Sequence, residues 1–389
     1  MVLKNKPRSL IEVIEFKENV KRELEKLLDP GSRRRALRDY HARRRPRPCG
    51  MTVHTGVGCD YACLYCYIID MGFKWGAKPY PLSGLELAYA LANNPFFIPG
   101  PRGTFIAMGS VTEPFLEKTR EKAFEYIEAI SRFLGNPIQF STKAYLSLDD
   151  AKRLYKLEPG ISPLVTIVTI KYSSRLEPKA PSPDERFESI ENLARAGLKP
   201  ILFLRPIIPG VNDREYPEIL ERAKKAGAVG VVAGSLRVTE RILFLFEKIG
   251  INTREIKRRL KKTPHGTEQV DIDTTDIKTR ILEHARAIGL KTFPMACMAN
   301  LYTHNQLCHP MIARNIATFQ EGLEKPPEVD YEEITEAAKH LGLRVEEIKL
   351  TPRGDKAIIK IRGDKTKTLF LGELIKSHYR ICIKIQSKH

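Results

Sequence analysis

Residues 58–67 read GCDYACLYCY and place Cys59, Cys63 and Cys66 close together, directly after the first predicted core strand at residues 51–55. A loop this short can wrap three thiolates around one metal centre. Four cysteines close a [4Fe–4S] cluster, whereas three leave one iron free to bind a small molecule. The spacing therefore predicts a catalytic [4Fe–4S] cluster held by these three cysteines.

Two other interpretations of the three cysteines stay open at this point. A structural zinc site needs a fourth Cys or His ligand, and His54 or Cys49 is near enough in the sequence to supply one. Alternatively, the three thiols are ordinary residues packed in a core.

Short apolar or β-branched runs alternate with longer amphipathic segments from residue 51 onward. Strands are predicted at residues 51–55, 104–108, 137–142, 164–170, 199–204 and 228–233, with a short one at 291–293. Helices are predicted at residues 116–134, 184–196, 214–226, 239–262 and 276–288. This alternation predicts an α/β fold, a partial (β/α)6 TIM-like barrel built on a parallel sheet. An open doubly wound sheet is the alternative.

The barrel prediction divides the chain into four parts. Residues 1–50 form a basic N-terminal extension, in which an amphipathic helix ends near Asp29. Residues 51–295 form the core barrel, and residues 296–326 form a loop segment rich in Cys and His. Residues 327–389 form a small C-terminal α/β accessory domain, with a helix near 331–341 and strands near 356–361 and 381–385.

The charge of the chain favours a polyanionic partner. Its 65 Lys and Arg residues outnumber 47 Asp and Glu residues, which gives a formal charge of +18. Nucleic acid is the commonest partner for a field of this sign. No secretory signal or apolar run long enough to span a bilayer is visible, so we expect a cytoplasmic protein with no membrane partner. Seven cysteines in that compartment are metal ligands or isolated thiols and not a disulfide framework.

The cysteine spacing C-x3-C-x2-C, with Tyr65 before the last cysteine, resembles that of the radical S-adenosylmethionine (SAM) superfamily. Further segments follow in the order expected for that family: residues 108–115 (MGSVTEPF), 141–143 (STK), 176–187 (LEPKAPSPDERF) and 205–213 (RPIIPGVND). Together they resemble the DNA-repair-photolyase-like branch, to which spore photoproduct lyase belongs, over residues 51–233. The resemblance implies a [4Fe–4S] cluster and SAM as cofactors. It also implies a 5′-deoxyadenosyl radical that takes a hydrogen atom from the substrate.

The same resemblance implies which residues meet the methionine part of SAM. Gly109 and Ser110 follow the second predicted strand, where backbone groups can meet the methionine ammonium. Thr112 and Glu113 share that loop, and Glu113 stands where relatives usually carry Asp. Lys143 ends the third strand and offers a cation for the methionine carboxylate, or is simply a solvated lysine.

The nucleoside part of SAM is expected to meet other residues. Thr166 and Thr169 are polar residues in the predicted fourth strand, and their odd separation allows only one of them to point into the barrel and reach the ribose. Tyr65, Tyr67 and the backbone around Ala233 are predicted to frame the adenine. Aromatic residues at such positions alternatively pack the core.

One feature of the branch is missing. Spore photoproduct lyase returns a hydrogen atom to its product from a cysteine on the loop after the second strand, but residues 108–113 contain no thiol. The O–H bond of Ser110 is too strong to substitute readily, so thymine-dimer repair by that route is not expected. Cys297 or Tyr302 is predicted to supply a hydrogen atom instead.

The segment 297–309 (CMANLYTHNQLCH) that contains both residues has other interpretations. It holds ligand types for a second metal, with His304 and His309 as further candidates beside Cys297 and Cys308. Plain packing is the alternative. Cys49 and Cys382 are interpreted as ordinary residues.

Two basic runs indicate where a nucleic acid would bind. Residues 32–47 contain eight arginines and one Asp, with Tyr40 and His41 among them, and residues 254–262 contain six Lys or Arg. We expect these runs to hold a polynucleotide across the barrel mouth, RNA ahead of DNA because the repair thiol is missing. A solvated face is the alternative.

The function predicted is a radical SAM enzyme of nucleic-acid modification or repair, with an electron donor such as ferredoxin or flavodoxin as a second partner. Two alternatives stay open. One keeps the radical chemistry but makes the substrate a peptide or a small metabolite. The other is a non-enzymatic, zinc-stabilised nucleic-acid-binding protein.

Overall fold

Strands and helices alternate through most of the chain in this computed structural model, which describes residues 7–47, 49–315 and 321–388. The strands are β1 (Gly50–Thr52), β2 (Gly56–Val57), β3 (Lys78–Pro79), β4 (Phe105–Met108), β5 (Ile138–Thr142), β6 (Ser162–Thr166), β7 (Ile201–Ile207), β8 (Gly230–Ser235), β9 (Arg237–Val238), β10 (Val270–Asp271), β11 (Lys291–Phe293), β12 (Arg344–Leu350), β13 (Lys356–Arg362) and β14 (Cys382–Lys388).

The helices follow the same order. They are α1 (Leu10–Leu27), α2 (Pro30–Arg38), α3 (Gly84–Asn93), α4 (Arg120–Ala129), α5 (Leu148–Leu157), α6 (Ser173–Leu176), α7 (Pro183–Arg195), α8 (Tyr216–Lys225), α9 (Glu240–Lys248), α10 (Arg254–Arg258), α11 (Thr275–Ala287), α12 (Ala296–Thr303), α13 (His309–Ala313), α14 (Tyr331–His340) and α15 (Lys365–His378). A 3₁₀ turn at Tyr40–Ala42 follows α2, and a π-helical turn at Ile130–Leu134 continues α4.

Seven parallel strands form the central sheet in the order β1-β4-β5-β6-β7-β8-β11. Each strand is added beside the one before it, and a helix lies in every crossover from β4 onward. A sheet wound in one direction curls toward a barrel, whereas a doubly wound sheet reverses its order. The predicted α/β fold with a parallel sheet is confirmed.

Successive side chains of each strand point to opposite faces of this sheet. Leu202 and Ala233 pack outward in the main core, among the crossover helices. Leu164, Ile201 and Val232 point inward and pack against α12, which fills part of the barrel interior. No helix of the described residues has the length and apolar character needed to cross a bilayer.

A second unit is built from the C-terminal residues and one N-terminal helix. Strands β12, β13 and β14 form a three-stranded sheet, antiparallel between β12 and β13 and parallel between β13 and β14. Helices α14 and α15 cover it, and Leu10, Val13 and Ile14 of α1 pack into the same core, whereas Val20 and Leu24 of α1 pack in the main core. The predicted boundaries at residues 50, 295 and 326 stay predictions.

Several predicted elements were wrong in detail. The single helix predicted at residues 239–262 is two helices, α9 and α10, because Gly250 adopts a φ of +79° that ends α9. The strand predicted at 164–170 ends at Thr166. Residues 30–38, expected to follow a helix break, themselves form α2.

Candidate functional site

The segment with the three cysteines, residues 58–67, is called the cysteine loop below. It lies between the short antiparallel strands β2 and β3, after β1. Gly58 adopts a φ of +79°, and a Cβ there would lie 2.5 Å from the carbonyl oxygen of Gly76. The loop therefore turns sharply where only glycine fits. The N–H of Cys66 donates to the carbonyl of Cys63 at 3.0 Å, and the N–H of Leu64 donates to the carbonyl of Leu176 at 2.9 Å. These bonds fix the loop on the end of the sheet.

The three thiols lie near one another. Cys63 is buried, and Cys59 and Cys66 are partly buried. Burial raises the pKa of Cys63 to about 12 and that of Cys59 to about 11, and the other two thiols of the loop add to the rise at Cys63. The backbone N–H groups of Tyr61 and Glu113 donate to Cys59 and favour its thiolate. The donor set fits an iron–sulfur cluster, whose binding displaces the thiol protons.

No group of three His, Cys, Asp or Glu side chains with the spacing of single-ion ligands occurs in residues 7–47, 49–315 and 321–388. The thiolates of a four-iron cluster bind different irons, so they lie farther apart than the ligands of one ion.

A buried network lies beneath the loop. The hydroxyl of Tyr65 donates to the carboxylate of Glu177, and the guanidinium of Arg186 donates to the other oxygen of that carboxylate at 2.5 Å. The Glu177 and Arg186 side chains are both fully buried. Arg186 also donates to the carbonyl of Thr166 at 3.2 Å. The network therefore ties the residue before the last cysteine to the end of β6.

Beside the cysteine loop lies a cavity of about 290 Å³ at the carboxyl ends of the strands. Parallel strands of a barrel present their ligand sites at this end. The predicted site residues that line this cavity are Tyr65, Cys66, Tyr67, Gly109, Ser110, Lys143 and Thr166. The structure thus brings the cysteine loop and most of the predicted SAM contacts to one cavity.

The β4 loop, residues 109–119, follows β4 and begins at Gly109. The backbone conformation of Gly109 is one that favours glycine. Its φ is +100°, and a Cβ there would lie 2.4 Å from the carbonyl oxygen of Ser141. The β4 loop and the end of β5 are therefore in backbone contact beside the cavity. A side chain at this position would be strained by the dihedral angle and would clash with Ser141.

Glu113 fixes the same two loops from beneath. Its carboxylate accepts hydrogen bonds from the Thr142 hydroxyl at 2.5 Å, the Lys143 N–H at 2.8 Å and the Phe115 N–H at 3.2 Å. Burial raises the pKa of Glu113 despite these donors. Because the carboxylate is already bonded within the protein, the structure places Glu113 behind the cavity. Thr112 is buried and its hydroxyl has no hydrogen-bond partner in the described residues.

Lys143 is a partly buried cation beside the thiols. Its ammonium lies 5.4 Å from the ring centroid of Tyr65. Burial acts to lower the pKa of Lys143, but the charges of Cys63 and Glu177 outweigh it and raise the pKa. Lys143 is therefore a fixed cation on the cavity wall and not a solvated surface lysine.

Two predicted contacts lie away from the cavity. Thr169 follows β6 and donates to the carboxylate of Glu215 at 2.8 Å, so it organises the loop after that strand. Only Thr166 of the two threonines reaches the cavity. The Ala233 side chain points into the outer core, and Ser235, two residues later, lines the cavity.

Two cationic residues of the cavity had no role predicted from the sequence. Arg205, at the end of β7, and Arg237, in β9, both line the cavity. A Cβ on Gly234 would lie 2.8 Å from Cδ of Arg205, so this glycine makes room for the Arg205 side chain. Arg205 lies in the segment RPIIPGVND, one of the motifs that supported the resemblance. That motif was the sequence feature that could have indicated a role for Arg205. Glu177 and Arg186 lie in another such motif, LEPKAPSPDERF, which could have indicated their role in the same way.

The residues predicted to supply a hydrogen atom lie deeper in the barrel. Ala296 lines the cavity, and its carbonyl accepts a hydrogen bond from Gln139 at 2.9 Å. Cys297 and Tyr302 follow it on α12 and pack in the barrel interior. The ring centroid of Tyr302 lies 5.1 Å from the ammonium of Lys199. Their role as hydrogen donors stays a prediction.

The model of the radical SAM superfamily matches residues 53–223 of the chain. The protein ORF301 of Acidianus two-tailed virus is 25% identical over 183 residues, which are 43% of this chain and 58% of the viral protein. MJ0683 of Methanocaldococcus jannaschii is 30% identical over 169 residues, 41% of this chain and 61% of that protein. Both relatives are described as uncharacterized. The chain spans about three fifths of the length of these relatives.

Solved structures of spore photoproduct lyase share the fold. A cysteine-to-serine mutant of that enzyme has a TM-score of 0.51 and 17% identity, covering 63% of this chain and 74% of the other. A double mutant with bound AdoMet and dinucleoside spore photoproduct also has a TM-score of 0.51 and 17% identity, covering 66% and 80%. With the cysteine loop and the cavity placed at the carboxyl ends of such a sheet, residues 53–223 constitute a domain of the radical SAM superfamily, whose enzymes use a [4Fe–4S] cluster and S-adenosylmethionine.

Proposed function

We propose that this chain is a radical SAM enzyme that abstracts a hydrogen atom from a nucleic acid, in modification or repair. The observation that carries the substrate class is the charge of the cavity. Lys143, Arg205 and Arg237 line it, and no carboxylate side chain does so among the described residues. Arg237 pairs with Asp271 at 3.0 Å, so Lys143 and Arg205 are the cations left for an anionic ligand. Cations without carboxylates favour anionic ligands, and guanidinium groups pair bidentately with phosphate.

The residues proposed to hold the cofactors lie on the cysteine loop and on the loops that follow β4 and β5. Cys59, Cys63 and Cys66 would bind three irons of the cluster, and the backbone beside Gly109 would receive the methionine end of SAM, with Lys143 as the cation for its carboxylate. Bound together, the two groups supply hydrogen-atom abstraction by a 5′-deoxyadenosyl radical. The protein orients these groups and excludes water from the reacting atoms.

The N-terminal basic run supplies a second cationic surface. Arg34, Arg38 and Arg43 are exposed, and none of them forms an ion pair within the described part of the chain. Tyr40 is 40% exposed, and its ring centroid lies 5.7 Å from that of His54, just before the cysteine loop. Exposed arginines beside an exposed aromatic ring suit phosphates and unstacked bases. This surface supports a polynucleotide substrate.

The second basic run supports the proposal less than its sequence indicated. Lys257 pairs with Glu247 at 2.6 Å, Arg258 pairs with Glu255 at 2.7 Å, and Lys262 pairs with Glu268. Carboxylates of the protein itself therefore neutralise much of this run.

We favour RNA over DNA as the substrate. The spore photoproduct lyase structure with AdoMet holds a dinucleoside spore photoproduct, which gives a precedent for a nucleoside substrate on this fold. The loop after β4 has no thiol of the kind that such repair uses, so a different product is expected. An electron donor of the ferredoxin or flavodoxin class is the second partner proposed.

The test is anaerobic reconstitution of the cluster followed by assay for 5′-deoxyadenosine. Deuterated RNA, DNA and peptide pools are then compared for deuterium transfer into that product. We expect transfer from a nucleic acid, and the C63A variant should lose both the brown colour and SAM cleavage.

Each contrary outcome has a distinct meaning. Deuterium transfer from peptides alone would reject the nucleic-acid substrate. An intact cluster that cleaves no SAM under any reductant would reject the enzyme. Colourless protein that binds one zinc ion in place of iron would support the non-enzymatic alternative.

A further inference from the structure

Four cysteines outside the cysteine loop, which is the catalytic loop of the proposed function, converge on one place, although they come from distant segments. Cys49 precedes β1, Cys297 lies in the first turn of α12, Cys308 caps α13, and Cys382 begins β14. The name cysteine quartet is used below for these four residues. The chain has seven cysteines, so the catalytic loop and the quartet together account for all of them.

Contacts through Phe105 and Arg380 bring the quartet together. The N–H of Phe105 donates to the carbonyl of Cys49 at 3.3 Å. The ring of Phe105 lies 4.2 Å from the guanidinium of Arg380, two residues before Cys382. The carbonyl of Arg380 accepts the N–H of His309, the residue after Cys308, at 3.1 Å. Cys297 and Cys308 pack against the apolar cluster that contains Phe105.

Arg380 is the second, independent observation, because it is a buried cation without an anion. Its guanidinium donates to the carbonyls of Gly103 at 2.9 Å and Pro101 at 3.2 Å, and to the side-chain oxygen of Gln306 at 3.0 Å. Its Nε has no partner, and no carboxylate pairs with Arg380 among the residues that the structure describes.

A buried charge is normally paired or bound to a metal centre. An iron–sulfur cluster bound by four thiolates carries a net negative charge and would supply the missing anion. We propose that the cysteine quartet binds a second [4Fe–4S] cluster, distinct from the one in the catalytic loop, with Arg380 as its counter-charge. The proposal goes beyond the proposed function and holds for any substrate. On this assignment Cys297 is a ligand and not a hydrogen donor.

The position of the quartet indicates what such a cluster would do. Cys49 and Cys382 are exposed, so this end of the quartet reaches the surface. Cys297 follows Ala296, which lines the catalytic cavity. A cluster closed by four thiolates has no open iron for SAM and is suited to electron transfer. The quartet therefore lies between the protein surface and the cavity, where an electron from a reduced ferredoxin or flavodoxin would enter.

The test counts iron and sulfide in two complementary variants of the full chain after anaerobic reconstitution. One variant carries C59A, C63A and C66A, and the other carries C49S and C308S. Wild type is expected to hold about eight irons and each variant about four, because each cluster contains four. The EPR signal of the reduced C59A/C63A/C66A variant should not change when SAM is added, since its cluster has no open site. The signal of the C49S/C308S variant should change.

Circular dichroism shows whether the C49S/C308S variant folds. If it does not fold, the C59A/C63A/C66A variant alone tests for the second cluster, because it leaves the quartet unchanged. A colourless C59A/C63A/C66A variant would overturn the proposal. So would a variant of this kind that holds one zinc ion and no sulfide, or a folded C49S/C308S variant that keeps the full iron content of wild type.

Discussion

At the scale of single residues, Gly109 sets the shape of the cavity beside the cysteine loop. We expect G109A to lower SAM cleavage about 100-fold, because its Cβ would push the β4 loop away from Ser141 and displace groups that position the cofactor. The control is G250A, at a φ of +79°, where no atom of the described residues lies within 4 Å of the added Cβ. That variant should lose about 1 kcal/mol of stability and keep its activity. Equal activities of the two variants would contradict this role of Gly109.

The buried Glu177–Arg186 pair, which lies beneath the cysteine loop, should contribute strongly to the stability of the fold. We expect R186M to lower the free energy of unfolding by about 3–5 kcal/mol, because it leaves a carboxylate buried without its cation. R153M is the matched control, since Arg153 pairs with Glu121 at the surface at 2.8 Å and should cost less than about 1 kcal/mol. Urea denaturation measures the free energy of unfolding of both variants. Similar losses would show that the buried pair contributes no more than the surface pair.

At the scale of elements, the two basic runs should differ in their binding of nucleic acid. We expect the triple variant R34Q/R38Q/R43Q to lower the slope of log K against log salt by about 2 to 3, because each lost phosphate contact removes slightly less than one unit. The control K257Q/R258Q/K262Q removes cations that already pair with carboxylates, and its slope should stay near that of wild type. Fluorescence anisotropy with a labelled RNA measures the slopes. A larger change in the control would place the nucleic acid at the other run.

The strands were predicted from the sequence better than the helices around them. Buried parallel strands are short apolar runs, and the predicted strand at residues 291–293 matches β11. Helix ends depend on details that a periodicity does not contain. Asp29 caps α2 by accepting the N–H groups of Gly31 and Ser32, so Pro30 begins a helix where it was read as a break. Helix α12 was missed because it fills the barrel interior and shows no polar face.

At the scale of the whole molecule, stability should fall in mild acid. Burial lowers the pKa of His54 to about 4 from an ordinary value near 6.5. Between these values the unfolded chain binds a proton that the folded chain does not, so the free energy of unfolding falls as the pH falls.

We expect H54F to reduce the loss of stability between pH 7 and pH 5 by about 1–2 kcal/mol. The aromatic replacement keeps the ring packing against Tyr40 and Tyr80. Urea denaturation at the two pH values gives the difference for each protein, and an equal loss in the variant would show that other groups control the effect.

The candidate site was predictable where its residues are neighbours in the chain and not where the fold assembles it. The cysteine loop and the β4 loop are local motifs, and the structure places their residues beside one cavity. Arg380 donates to Gly103, which lies 277 positions away. No local spacing encodes such a contact. For the same reason the role proposed for Cys49 and Cys382, which were interpreted as ordinary residues, is argued from the packed molecule.

The packing of α1 into the C-terminal unit has a consequence for biosynthesis. The N–H of Leu10 donates to the carboxylate of Glu333 at 2.7 Å, and the two residues are 323 positions apart. The first half of α1 is made long before its partners in the C-terminal unit. Until those partners are made, Leu10, Val13 and Ile14 have no surface of the C-terminal unit to cover them, whereas Val20 and Leu24 can already pack in the main core. Chaperones that bind nascent chains therefore have an apolar target in the first half of α1 until the C-terminal unit has been made.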